Sequence, residues 1–92
     1  MSVINIKIVR IKEDSDRIIF GYGSLDHSAI DGIIMLDKKT DKIWVEKWCA
    51  GERIYRVEEY NYEGLFFGGR AMAKIYERYK QGKLEDVFYR IS

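Results

Sequence analysis

The side chains with the widest chemical range in this sequence are a lone histidine and a lone cysteine. His27 follows Asp26 in Gly21-Tyr22-Gly23-Ser24-Leu25-Asp26-His27-Ser28. A carboxylate beside an imidazole, whose ordinary pKa is about 6.5, is raw material for acid–base chemistry. Catalytic partners must meet in space, however, and adjacent loop side chains need not converge, so a solvated loop histidine is the expectation. Cys49 lies between Trp48 and Ala50-Gly51, among apolar neighbours, with Lys47 the one nearby cation to lower its pKa. It reads as a buried, inert thiol, and a Cys/His nucleophilic pair would need His27. One Cys excludes an internal disulfide framework, and Cys and His together are too few for a Cys/His zinc site within one chain. No metal, no cofactor and a reducing, cytoplasmic setting are expected.

Three further patterns invite functional readings. Gly64-Leu65-Phe66-Phe67-Gly68-Gly69 precedes a helical stretch. It lacks the Gly-Lys-Ser/Thr of a phosphate loop and the Gly-x-Gly-x-x-Gly of a dinucleotide fold, so its glycines are expected to permit a tight helix entry or a close approach to a sheet. Arg70, Lys74 and Arg78 recur at every fourth position, and with Lys80 and Lys83 oppose Glu77 alone in that segment. Such a row can meet phosphates or an acidic protein, but Glu52, Glu58, Glu59 and Glu63 precede it, and a solvated helix face is favoured over nucleic-acid binding. Finally, Trp44, Trp48, Tyr55, Tyr60, Tyr62, Phe66 and Phe67 are bunched together. Trp and Tyr are enriched where proteins bind proteins, so some of this group is expected to form an interaction patch outside the core.

The chain that must position these residues is short. It has 92 residues, 47% hydrophobic and 14% aromatic, which is too much core-forming surface for a disordered tail. Its 16 basic and 15 acidic side chains leave +1, so bulk charge selects no partner. No stretch approaches the roughly 20 apolar residues that cross a bilayer. With no Pro, no linker and no repeat, one domain over residues 1–92 is expected. A domain of this size buries only about 60–65% of its unfolded surface, which leaves little core to hollow into a private active site.

Val3 to Lys12 reads as a strand, with Ile4, Ile6 and Ile8 alternating against Asn5 and Lys7. A parity change at Val9 and Ile11 implies either a bulge near Ile8 and Val9 or cover on both faces. Arg17 to Gly23 completes a hairpin, and Ile30–Leu36 with Lys42–Trp48 makes a second around Asp37-Lys38-Lys39-Thr40-Asp41. Residues 49–62 fit helix and strand periods equally. From about Gly69, Met72, Ile75, Tyr76 and Tyr79 mark a helical stripe, with Leu65 and Gly68 extending it if the helix begins earlier, and Arg70, Lys74 and Arg78 opposite. Gly82 takes the terminating position. Val87, Tyr89 and Ile91 mark a closing strand. The resulting class is α+β: an antiparallel sheet of about five strands in β-β-β-β-α-β order, packed by one C-terminal helix.

Gly32-Ile33-Ile34-Met35-Leu36-Asp37-Lys38-Lys39-Thr40-Asp41-Lys42-Ile43, the later helix 71–81 and the ending Gly82-Lys83-Leu84-Glu85-Asp86 together resemble the layout of small bacterial immunity proteins, including the SUKH-like group. The resemblance covers about a third of the chain. It implies a non-enzymatic protein that binds and neutralises a cognate toxin, and it transfers no individual site residue. The near-neutral charge departs from the acidic character usual among nuclease inhibitors, which counts against a nuclease partner. The expectation is therefore a cytoplasmic interaction protein whose patch comprises Trp44, Trp48, Tyr55, Tyr60 and Tyr62 with Arg70, Lys74 and Arg78. The alternatives are a small hydrolase or ligand-binding homo-oligomer using His27, Asp26 and Cys49 at a subunit interface, and a structural subunit of a larger assembly.

Overall fold

Alternating apolar residues set the first strands. The computed structural model describes residues 5–25, 30–57 and 62–91. Strands β1 (Asn5–Glu13) and β2 (Arg17–Ser24) pair antiparallel, with Ile8 opposite Tyr22 and Ile6 opposite Ser24. Their turn is held by the Asp14 carboxylate, which accepts the backbone N–H groups of Asp16 and Arg17 at 2.8 Å. Strands β3 (Gly32–Asp37) and β4 (Lys42–Lys47) form the second expected hairpin. Here Asp37 accepts from Lys39 and Thr40, and Asp41 takes φ 60°, a conformation Asp tolerates better than most residues.

The ambiguous stretch resolves as a small separate hairpin, β5 (Ile54–Val57) with β6 (Tyr62–Leu65). Its strands are short and Ile54 and Tyr55 are exposed, so no buried face imprinted a period on the sequence. Helix α1 (Phe66–Gln81) follows directly, and β7 (Val87–Ile91) returns to pair antiparallel with β1. The main sheet is β4-β3-β2-β1-β7, with α1 on one face: the expected α+β class, plus one extra hairpin.

The inner face supplies Ile6, Ile8, Ile18, Phe20, Ile34 and Leu36, and the helix lays Phe67, Ala71 and Ile75 onto them. Full burial of each large side chain contributes about 1.5–3 kcal/mol. Phe88 of β7 meets Phe20 edge-on, with ring centroids 6.3 Å apart.

Two expectations are corrected. The bulge lies at Ile11, because pairing with β2 slips between Arg10 and Lys12. Val9 therefore keeps its outward side, and Ile11 and Lys12 share it, both opposite Ile19; the parity change arises because the outer face is itself apolar. The helix begins at Phe66, and its buried row is Phe67, Ala71 and Ile75. Met72, Tyr76 and Tyr79 are half-buried along one flank, while Arg70, Lys74 and Arg78 are partly covered along the other, not diametrically opposite the core. Gly82 ends the helix as expected at φ 68°, its N–H bonding Tyr79 and that of Lys83 bonding Arg78. Asp41 ties the β3–β4 turn to this helix end, accepting from Tyr76 Oη at 2.8 Å and Lys80 Nζ at 2.6 Å. Among the described residues, no helix is long and apolar enough to cross a membrane.

Candidate functional site

The most convergent polar contacts lie where α1 meets the sheet. Tyr22 is fully buried on the inner face, and its ring fills the space that a side chain at Gly32 would need: a Cβ there would stand 2.6 Å from Tyr22 Cδ1. A Cβ at Gly68 would stand 2.8 Å from Val45 Cγ2 and 3.1 Å from Tyr22 Oη. The glycine before the helical stripe thus permits close approach to the sheet. The Tyr22 hydroxyl donates to Glu52 Oε2 at 3.0 Å and accepts the Cys49 N–H at 3.3 Å. Glu52 in turn accepts the N–H groups of Phe67 at 2.7 Å and Gly68 at 2.9 Å. The helix has no acidic residue in its first turn and no side-chain cap from Leu65. Glu52 supplies both the acceptor and the negative charge from outside the helix.

This cluster is architectural in its chemistry. Burial, with the Glu52 charge nearby, pushes the Cys49 thiol up to about 11, and burial raises the Tyr22 phenol further still. A thiol so placed is a poor nucleophile, in keeping with the inert reading from sequence. Asp26 and His27 lie outside the described residues. Among the described residues, no three His, Cys, Asp or Glu side chains are grouped to hold a metal ion.

The exposed surface beside this cluster has a different character. Ile54 and Tyr55 are consecutive in β5 and line two different grooves. The groove on the Ile54 side measures about 430 Å³ and is bounded by Trp44, Trp48, Leu65, Gly69 and Met72. Three successive β4 residues, Ile43, Trp44 and Val45, line it, so it follows the outer edge of β4, the last strand of the main sheet. Trp48 is 53% exposed and Ile54 51% exposed at its rim. The Trp44 indole is oriented by donating to Glu46 at 2.8 Å. The groove on the Tyr55 side measures about 580 Å³ and contains Phe66, Arg70 and Arg90. There the Arg70 guanidinium lies 4.7 Å from the Phe66 ring centroid, a cation–π contact. Leu65 and Gly69 border both grooves, and a Cβ at Gly69 would meet nothing within 4 Å.

The structure thus brings together Trp44 with Trp48, and Tyr55 with Arg70, on the two sides of the β5–β6 hairpin. It does not bring Lys74 or Arg78 to either groove; Arg78 is partly covered, its Nε buried without a hydrogen-bond partner. Tyr62 falls in β6, and Tyr60 lies outside the described residues. Ile54, Leu65, Met72 and Arg90 belong to the grooves and escaped the sequence reading, which followed aromatic bunching. The signal for Ile54 was the Ile-Tyr-Arg-Val strand run bounded by Gly51 and Gly64. Compared with family models, curated proteins and solved structures, the chain gives no significant match to any of the three.

Proposed function

We propose that this protein is a non-enzymatic, cytoplasmic interaction protein, and specifically an immunity-type inhibitor that binds a cognate bacterial toxin and occludes its functional surface. One observation carries the reading: Trp48 and Ile54 stand half-exposed on either side of an apolar groove that also holds Trp44. Large apolar side chains around a concavity are the composition of binding hot spots, whose truncation typically costs 2 kcal/mol or more. Occlusion needs no catalytic constellation, only a standard interface of ~800 Å² per partner. The resemblance of the Asp37–Asp41 hairpin and its flanks to immunity proteins supplies the nature of the partner.

The test is co-expression with the toxin domain encoded beside the gene, scored by cell survival. The parent chain should protect. Trp48→Ala, which removes an exposed side chain the core does not use, should bind about 30-fold more weakly and protect poorly, as a hot-spot loss of about 2 kcal/mol requires. No toxin domain beside the gene, together with no stoichiometric partner recovered from the native cells, removes the reading.

A further inference from the structure

The face of the main sheet away from α1 is apolar at its centre and basic at its rim. Half-solvated antiparallel sheets ordinarily alternate apolar-in with polar-out. Here register places Val9, Ile19, Ile33 and Met35 on the outer side of the three central strands, with Val87 and Tyr89 beside them on β7. Among the described residues, no helix or strand lies over this face. Ile11, delivered outward by the bulge, is 58% exposed, and Tyr89 is 46% exposed. Gly21 is buried, and on this side two side chains stand over it: its Cβ would lie 3.0 Å from Ile30 Cγ2 and 3.1 Å from Ile11 Cδ1.

The charges that share this side are Lys7, Lys12, Arg17, Lys42 and Lys47. Among the described strand residues, these five cations face two outward carboxylates, Asp37 and Glu46, the second placed outward by the slip in register at the end of β4. Both carboxylates are engaged, Asp37 by the turn N–H groups and Glu46 by the Trp44 indole. A chain whose net charge is +1 thus concentrates positive charge around a partly exposed apolar sheet face.

We infer that this outer face docks an amphipathic helix of a partner protein, its apolar stripe flanked by Asp and Glu. Charge complementarity selects the flanks. A second copy of this chain would set five cations against the same five across a Debye length of about 8 Å. Nucleic acid would satisfy the cations but not the centre, where aliphatic side chains offer no stacking. Trp44 and Tyr89, the aromatic side chains there, lie on the two edge strands, whose axes stand about 19 Å apart at the usual strand spacing. That same width matches roughly 13 residues of helix at 1.5 Å each. The inner face already takes one helix, α1, whose start packs on Val45 and whose end is tied to Asp41. The outer face and the Trp48–Ile54 groove share Trp44 but are otherwise lined by different residues, so either reading can fail alone.

The experiment is an NMR titration of the ¹⁵N-labelled full chain with a synthetic 13-residue amphipathic helix carrying a Leu stripe and Glu flanks. Controls are the same stripe with Lys flanks, a mixed-sequence single-stranded oligonucleotide, and dilution of the protein alone. Saturable shifts are expected at the amides of Val9, Ile19, Ile33 and Met35. Affinity should weaken at least about fivefold from 20 to 300 mM salt as screening sets in. Ile11→Glu, at an exposed position, should weaken it about tenfold; Lys12→Glu should do so about threefold and Trp48→Ala not at all. The losses scale with the apolar contact and the charge removed. Each of four results overturns the inference: equal binding by the Lys-flanked peptide, shifts at the outer face with the oligonucleotide, concentration-dependent shifts there without peptide, or no shift up to 1 mM peptide.

Discussion

Tyr22 donates its phenolic hydroxyl to Glu52 at 3.0 Å, and through that one carboxylate the central strand of the sheet is joined to the first turn of α1. The helix start is therefore a tertiary feature: its acceptors come from the β4–β5 connection and its register from the sheet.

Glu52→Ala leaves the Phe67 and Gly68 N–H groups and the Tyr22 hydroxyl without their acceptor, and should lower stability by about 3 kcal/mol, since buried unpaired donors cost 1–3 kcal/mol each. Tyr22→Phe should cost about 1–2 kcal/mol. The double variant should cost less than the sum, because the two share a bond. Urea unfolding of the four proteins measures this; a Glu52→Ala change below about 0.5 kcal/mol would show the carboxylate to be idle.

Two glycines should respond in opposite directions. Gly32→Ala drives a methyl into the buried Tyr22 ring and should destabilise by about 1–3 kcal/mol, as overpacking does. Gly69→Ala adds a methyl with nothing within 4 Å at a helical position and should stabilise by about 0.5–1 kcal/mol through lost unfolded-chain entropy. Thermal melts of both variants test the difference in sign.

Stability should fall as pH drops below about 4, the ordinary carboxylate value. Lys80 and then Tyr76 hold the Asp41 carboxyl below its usual range; Lys38 does the same for Glu13, and the Thr40 N–H for Asp37. A carboxyl with a lower pKa folded than unfolded stabilises the fold above its unfolded pKa and loses that contribution as pH falls through the folded one. Asp41→Asn keeps a side chain suited to φ 60° and removes the charge. Its melting temperature should lie below the parent's at pH 7, and the two should converge as pH falls through the lowered folded-state value of the parent carboxyl.

Cys49 should resist alkylation by iodoacetamide at pH 8 in the native state and react readily in urea. Burial removes access, and a thiol pushed up to about 11 carries little thiolate at that pH. The native rate should be at least about 100-fold below the unfolded one, reflecting that thiolate fraction and the closed site. Rapid native labelling, followed by mass spectrometry, would contradict the placement.

The main sheet was legible because its strands are short apolar runs, several with a period of two, and each early turn carries Asp. Gly82 was legible because a helix end needs a left-handed residue there. The β5–β6 hairpin was not, because Ile54 and Tyr55 pack into no core and so leave no burial pattern. The helix start was displaced because its cap, Glu52, lies outside the helix, where no local capping signature reaches. Of the candidate patch, Trp44 and Trp48 were found by residue type, whereas Ile54 and Met72 became partners only when the hairpin set them beside the edge of β4. The row Arg70-Lys74-Arg78 was legible as a row but not in its orientation, which Phe67 and Ala71 decide.

The pairing of β1 with β7 also dictates an order of events during synthesis. Strands β1 to β4 are neighbours in sequence and can zip as they emerge, but Val9 must wait for Val87. At about 5–20 residues per second, that interval lasts several seconds. Throughout it the nascent sheet presents one side of Asn5–Glu13 as a bare row of hydrogen-bonding groups, so the chain is most prone to pair with a neighbour before its last strand arrives.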